Sequence, residues 1–347
     1  MIKSTIGKLR ATLTGWVFML RFMVLPWLAA WRAGRQLVHA GGPAMPAGAR
    51  DLVVVAPCYG DHPTLLAFLD HHRELGVDLF VFLDLSPAGT LAKRLHAHGD
   101  CAVWRPRGEP DAKQALLWLN ALRRRYATGR WCLSLEISDL FVFARSETRN
   151  IKDLIEFLET EQRDHIYALV VELYGNRPAE MLQLEAGEHP LALLPYFDVG
   201  GYTTAPRLGR FRNMTVRGGM QRRILHREAP RRAPPLNRLP LVKWRWYYGY
   251  VATTRMLMPR RLNWPHSPWH SSPTAALLRF ALLENDGVLR RAAKAEAADV
   301  ILPDGGARSF AQLSELRDRQ LRHDSSRLYA STWDLVECGL VNPGQWF

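Results

Sequence analysis

The chain predicts an α/β fold with a mostly parallel central sheet flanked by helices. Three observations carry this reading. Short runs such as Asp51–Pro57, Val77–Leu83, Cys101–Trp104 and Trp131–Glu136 are apolar almost throughout, the pattern of strands covered on both faces. Segments 63–75, 89–98 and 111–127, between those runs, read as helices, and strands alternating with helices imply parallel pairing. Acids stand at strand ends, Asp84 after the second run and Glu136 after the fourth. In open α/β sheets ligands bind at the carboxyl ends of the strands.

Each element follows in order. Residues 11–32 are apolar and aromatic, but Arg21 sits mid-segment and Pro26 interrupts it. A membrane-spanning helix needs about 20 apolar residues with few charges, and a central arginine is costly there. Segment 1–40 is therefore expected as a basic, apolar helical segment. It either lies in a membrane interface, anchored by Trp and basic residues, or packs on the main domain. A signal peptide, suggested by Lys3, Lys8 and Arg10, is disfavoured because Arg21 breaks its apolar core. Residues 41–50 read as a Gly/Pro linker, and 51–347 as the main domain, divided near 145. Helix 63–75 presents Leu65, Leu66, Phe68, Leu69 and Leu75 as one broad face. After an acidic helix at 150–163, Ala168–Tyr174 reads as a strand. Residues 205–265 are Arg-, Pro- and Trp-rich and loosely patterned. Residues 274–300 read as a helix carrying Leu277, Leu278, Phe280 and Leu282, and Leu328–Leu340 as a last helix.

A chain of 347 residues, 48% apolar, builds one large α/β domain or two smaller ones. Its four cysteines, Cys58, Cys101, Cys132 and Cys338, lack C-x-x-C spacing; this argues against a zinc site or disulfide framework and suits a reducing compartment. The net charge of +13 is uneven: residues 1–50 carry seven Lys/Arg and no acid, and residues 201–262 carry 15 against one, Glu228. Such zones suit anionic partners: phospholipid, phosphorylated sugar donors or nucleic acid. Nucleic acid ranks last, because no RRM, KH or helix-turn-helix signature accompanies the charge.

Five separated blocks resemble a bacterial subgroup of glycosyltransferase family 2. They are Phe68–Asp84, Gly129–Phe143, Arg217–Arg223, Pro235–Trp244 and Ala276–Phe280, and together they span about residues 51–345. The resemblance implies a GT-A fold and transfer of a sugar from a nucleotide-sugar donor to a cell-envelope glycan or lipid-linked acceptor. It implies a cytoplasmic protein, peripheral on the inner membrane. It also implies Mn²⁺ or Mg²⁺ at an Asp-x-Asp segment, here Glu136, Ser138 and Asp139, with Glu136 and Asp139 as the metal-ligating carboxylates. Asp61 and Asp84 fall where a nucleotide's base or ribose is met. Glu172 and Asp198 fall where that family carries acids, and either is a candidate to deprotonate the acceptor hydroxyl.

Arginines offer a metal-free route to the same charge neutralisation. Arg222 and Arg223 follow Gly218-Gly219, which lets a backbone approach a ligand. Arg279 and Arg255 replace family histidines. With Arg217, all are permanently charged donors suited to bidentate phosphate contacts. Because the Asp-x-Asp segment is altered, a second reading stays open: a glycosyltransferase-like binding or scaffold protein without turnover. The aromatic run Trp244–Tyr250 either stacks a ligand or packs in the core. The adjacent His71 and His72 point different ways on a helix, so cover for the sheet is their expected role.

Overall fold

The computed structural model describes residues 14–48, 51–108, 114–185, 187–207, 213–252, 254–263, 272–284, 289 and 313–346. The strands are β1 (Leu37–Gly41), β2 (Val53–Cys58), β3 (Leu79–Asp84), β4 (Cys101–Pro106), β5 (Trp131–Ser134), β6 (Asp139–Phe143), β7 (His165–Glu172), β8 (Tyr196–Asp198), β9 (Thr203–Arg207), β10 (Asn213–Arg217), β11 (Asn237–Lys243), β12 (Gly249–Ala252), β13 (Met256–Met258), β14 (Ala275–Arg279) and β15 (Ser326–Leu328). Nine of them form one sheet in the order β1-β4-β3-β2-β5-β11-β7-β14-β6.

The sheet is mixed rather than mostly parallel. β2 pairs in parallel with β3 and β5, β3 with β4, and β14 with β7, while the other four neighbour pairs are antiparallel. The reason is physical. β14 and β6 are short and mostly apolar, and β11 is buried although it carries Asn237 and Arg238; burial on both faces leaves no trace of strand direction in the sequence.

The segment expected as a helix from 274 divides into β14 and a short 3₁₀ turn, Ala281–Leu283; most of its continuation lies outside the described residues. A short apolar run fits a buried strand as well as a helix, and here it fills the gap between β7 and β6. Similarly, Leu328–Leu340 holds the end of β15 and a helix limited to Thr332–Glu337.

Helices cover the sheet: α1 (Thr14–Gly34, with a π-helical turn at Leu20–Val24), α2 (Leu65–Leu75), α3 (Ala115–Ala127), α4 (Ile151–Thr160), α5 (Gly219–Leu225) and α6 (Thr332–Glu337). α2 buries Leu65, Phe68, Leu69, His72 and Leu75 but leaves Leu66 exposed. It ends at Gly76, whose φ of 103° makes the left-handed C-cap that glycine adopts freely. α4 opens with a capping box between Asn150 and Asp153. Trp244, Tyr248 and Tyr250 are fully buried in the core, so three members of the aromatic run serve packing.

Residues 37–41, beyond the first helix, form the edge strand β1 against β4. α1 is seated on α3. Ala30 and Ala33 are buried, Arg124 donates to the Trp27 carbonyl at 3.1 Å, and the Trp27 indole donates to the Trp246 carbonyl at 3.2 Å.

Candidate functional site

β2, β3, β5, β7 and β14 all end on one edge of the sheet, and antiparallel β6 begins there. That edge collects most of the acids the sequence singles out. Asp84 is the last residue of β3 and fully buried. It accepts from the Ser86 amide at 2.9 Å and the Ser86 hydroxyl at 2.5 Å, and Arg105 Nε lies 3.7 Å away. Its Oδ2 has no hydrogen-bond partner among the described residues. A buried carboxylate oxygen left without a donor is costly, so this atom is a natural anchor for a ligand donor. Asp61, by contrast, is 79% exposed and pairs with Arg94 at 2.8 Å.

Residues 135–138 carry the chain from β5, mid-sheet, to β6 at the far edge. This loop is held at several points. The Thr64 hydroxyl donates to the Ile137 carbonyl at 3.1 Å, His62 lies 3.0 Å from Thr64, and Glu284 lies 3.2 Å from His62. The Phe280 amide donates to the Ser138 carbonyl at 2.8 Å. Glu136 is half-buried within the loop.

The register of β14 then places one cation between two acids. Arg279 is the cross-strand partner of Asp139 on β6 and of Glu172 on β7. Its guanidinium takes Asp139 in a bidentate pair, Nε to Oδ1 and Nη2 to Oδ2, both 2.7 Å. Both side chains are 2% exposed, so the pair is dry and demands full mutual neutralisation.

Glu172 is left to Gln221, whose amide donates at 3.3 Å and whose side chain also donates. Burial pushes the Glu172 carboxyl up to about 7, against the lowering pull of the Gln221 donors and Arg279. Behind Glu172 stands Gly219, with a φ of 68° and no room for a side chain: an added Cβ would sit 2.6 Å from Glu172 Oε2.

Asp198 ends β8 and is 5% exposed. Arg223 grips both of its oxygens at 2.9 and 3.2 Å, His323 lies at 3.2 Å, and the Tyr174 hydroxyl donates to it. Arg223 is thus committed to Asp198 and to the Leu321 carbonyl, whereas Arg222 turns to an adjoining cavity of about 460 Å³.

The structure therefore brings Asp139, Arg279 and Glu172 together, and Asp198, Arg222 and Arg223 around the cavity beyond Gly219. Asp84 sits on the same edge several strands away, and Asp61 stands in solvent. Arg217 donates to the Ala233 carbonyl and Arg255 is buried. Tyr174, Gln221, Arg227 and His323 were not foreseen. Tyr174 has a signal in its position two residues after Glu172, which puts both on one face of an extended chain; His323 has none.

The carboxylates do not fit a divalent cation as the resemblance implies. Both Asp139 oxygens are occupied by Arg279, and no group of three or more His, Cys, Asp or Glu suited to a metal occurs among the described residues. A hard cation wants about six oxygens, and Ser138 adds only a hydroxyl.

No family model matches the chain, and no curated protein matches it. Among solved structures, S. aureus TarS 1-349 aligns at 15% identity and TM-score 0.27, over 46% of this chain and 41% of that one. A 4-diphosphocytidyl-2C-methyl-D-erythritol synthase aligns at 18% identity and TM-score 0.24, over 40% and 67%. The mannosyltransferase PcManGT from Pyrobaculum calidifontis, in complex with GDP-Man and Mn²⁺, aligns at 21% identity and TM-score 0.25, over 47% and 46%. The chain spans under half the length of the first and third of these. Similarity at this level decides neither family nor activity.

Proposed function

We propose that the protein is a GT-A-type glycosyltransferase that moves a sugar from a nucleotide-sugar donor to a glycan or lipid-linked acceptor without a divalent metal. One observation carries this: the carboxyl edge sets an arginine, Arg279, in register between Asp139 and a buried acid, Glu172, pushed up to about 7. The acceptor oxygen forms a bond to the sugar's anomeric carbon as the bond to the diphosphate breaks. The diphosphate leaves with the electron pair, and the acceptor proton must go to a base. A carboxylate titrating near 7 suits that task at neutral pH. Glu172 is a better base than Asp198, whose oxygens are held by Arg223, His323 and Tyr174. Asp84, whose Oδ2 has no hydrogen-bond partner among the described residues, is the anchor for the nucleotide; the charge of Arg279 is matched by Asp139, so the diphosphate is met by Arg222 at the adjoining cavity.

A binding or scaffold role without turnover is favoured by the same ion pair, since Asp139 takes both Nε and Nη2 of Arg279. Calorimetric titration with UDP and GDP, with and without Mn²⁺, separates the readings. The expected result is nucleotide binding unchanged by Mn²⁺ and weakened in Asp84→Asn, with sugar transfer lost in Glu172→Gln. Binding without any transfer to a panel of acceptors supports the scaffold reading. Absence of nucleotide binding overturns the transferase reading and leaves the non-catalytic one.

The reading extends to location at the cytoplasmic face of the inner membrane. α1 is 21 residues long, and only 11% of its most apolar window is buried. Trp16, Leu20, Leu25 and Trp31 stand exposed along it, beside Trp246 on the body. Arg21, Arg32, Arg35, Arg245, Arg260 and Arg261 are exposed around them. Apolar and indole side chains ringed by guanidinium groups suit an anionic lipid surface. Because α1 is laid against α3, it fits lying in the interface rather than crossing it. Sedimentation with phosphatidylglycerol vesicles should be strong for the full chain and lost in a Trp16→Ser/Leu20→Ser variant; equal sedimentation overturns the location. Deleting residues 1–40 is a poorer test, because it removes most of β1.

A further inference from the structure

The cavity beyond Gly219 has Asp198, Gly201, Arg222, Arg223, Arg227 and His323 in its wall. Its charge does not balance. The one carboxylate in the wall among the described residues, Asp198, is already satisfied by Arg223 and His323. Glu228 and Asp324, the next acids along the chain, do not line it. Arg222 and Arg227 are left facing the space with no carboxylate partner among the described residues, and Arg222 Nε is buried with no hydrogen-bond partner there. A buried guanidinium nitrogen without an acceptor is costly, and Arg222, with the exposed Arg227 beside it at the same cavity, offers two forks that match the oxygens of a phosphate group. Gly201 lies beside Arg222 in this wall: an added Cβ would touch Arg222 Nη1 at 3.6 Å, an ordinary van der Waals contact.

We propose that this cavity is a metal-independent phosphate site, with Arg222 and Arg227 as the ligand-binding residues and Arg223 as a positioning residue that holds Asp198 away from the anion. The inference rests on the transferase reading only for the source of the phosphate, which is the diphosphate of the donor or a phosphate carried by the acceptor. Glu172 lies just behind Gly219, so either source would be held next to the proposed base.

The test is calorimetric titration of the full chain with inorganic phosphate and pyrophosphate in the presence of EDTA. The expected result is binding that weakens at least about tenfold in Arg222→Gln/Arg227→Gln. Arg227→Gln alone, at an exposed residue that leaves the fold intact, should show part of that loss. No binding to the wild type, or equal binding to the double variant, overturns the proposal. Competition identifies the source. Displacement of pyrophosphate by UDP or GDP assigns the site to the donor, and simultaneous binding assigns it to a phosphorylated acceptor. Phosphate binding that is lost in the double variant, in a protein that binds no nucleotide, keeps the site and removes the transferase reading.

Discussion

The two halves of the sheet's carboxyl edge solve the same problem in different ways. In the first half, around β2 and β3, the buried acid Asp84 is satisfied from its own loop by Ser86, two residues on, with Arg105 from the neighbouring strand. In the second half, Asp139 is met by Arg279, 140 residues away in sequence, Glu172 by Gln221, and Asp198 by Arg223 and His323. A carboxylate held by its own loop can leave an oxygen without a hydrogen-bond donor among the described residues, as Asp84 Oδ2 is, with Arg105 Nε 3.7 Å from it. A carboxylate held by side chains far away in sequence is locked into the tertiary fold. The first arrangement suits exchange of a ligand, and the second suits a fixed electrostatic environment.

The largest expected effect comes from unlocking the second half. Arg279→Gln leaves the buried Asp139 carboxylate without its cation and should destabilise the protein by about 3–5 kcal/mol in urea unfolding. The double variant Asp139→Leu/Arg279→Met should recover most of that loss, because replacing a buried pair with apolar side chains is often neutral or better. A small effect of Arg279→Gln alone would mean that water reaches Asp139, and the contrast between the two halves would disappear.

Glu172 provides the next test, through pH. Its folded-state value of about 7 lies above the ordinary carboxyl value of 4.5. The folded protein therefore binds the proton more tightly than the unfolded chain, and stability falls as pH rises from near 4.5 through about 7. At pH 8 the ionised group should cost about 3 kcal/mol relative to pH 4.5. Glu172→Gln should flatten this dependence and be more stable than the wild type at pH 8. The proposed base role predicts the opposite for activity: the wild-type kcat/KM should rise with pH through about 7, and the variant should lack that limb. A variant that shows the same pH slope in unfolding would place the titration elsewhere.

The same contrast explains what could be read in advance. β2, β3, the first part of β4 and β5 were legible because each is a short apolar run bounded by turn residues, and Asp84 because it ends such a run. The strand β11, inside the loosely patterned region 205–265, the direction of β6, and strand rather than helix for β14 were not legible. Their periodicity is shared by parallel strands, antiparallel strands and short buried helices. The site followed the same rule. Glu172, Asp139 and Arg279 were singled out individually, yet their grouping depends on the register of three strands. Nothing near Asp139 in sequence indicates that its oxygens are taken by Arg279, and this turned an expected metal ligand into half of an ion pair.

Gly219→Ala probes the close packing between Glu172 and the cavity. The new methyl group would meet Glu172 Oε2 at 2.6 Å in a residue with φ of 68°. The expected cost is about 2 kcal/mol, with a shift of the Glu172-dependent limb in the unfolding pH profile. A loss of stability with that limb unmoved would show that the backbone strain is felt without disturbing the carboxylate.

The smallest effect is expected at Asp61, and it sharpens the comparison within the first half. Its side chain is 79% exposed, and its ion pair with Arg94 reaches into solvent. Exposed pairs contribute little, so Asp61→Ala should change the unfolding free energy by less than about 0.5 kcal/mol. Nucleotide affinity is the informative readout. If Asp84→Asn weakens UDP or GDP and Asp61→Ala does not, the anchor is the buried carboxylate with the open oxygen, and exposure alone does not make an acid part of the site. If Asp61→Ala weakens binding equally, the nucleotide reaches beyond the sheet edge to the loop after β2. The two acids would then act together although only one is buried.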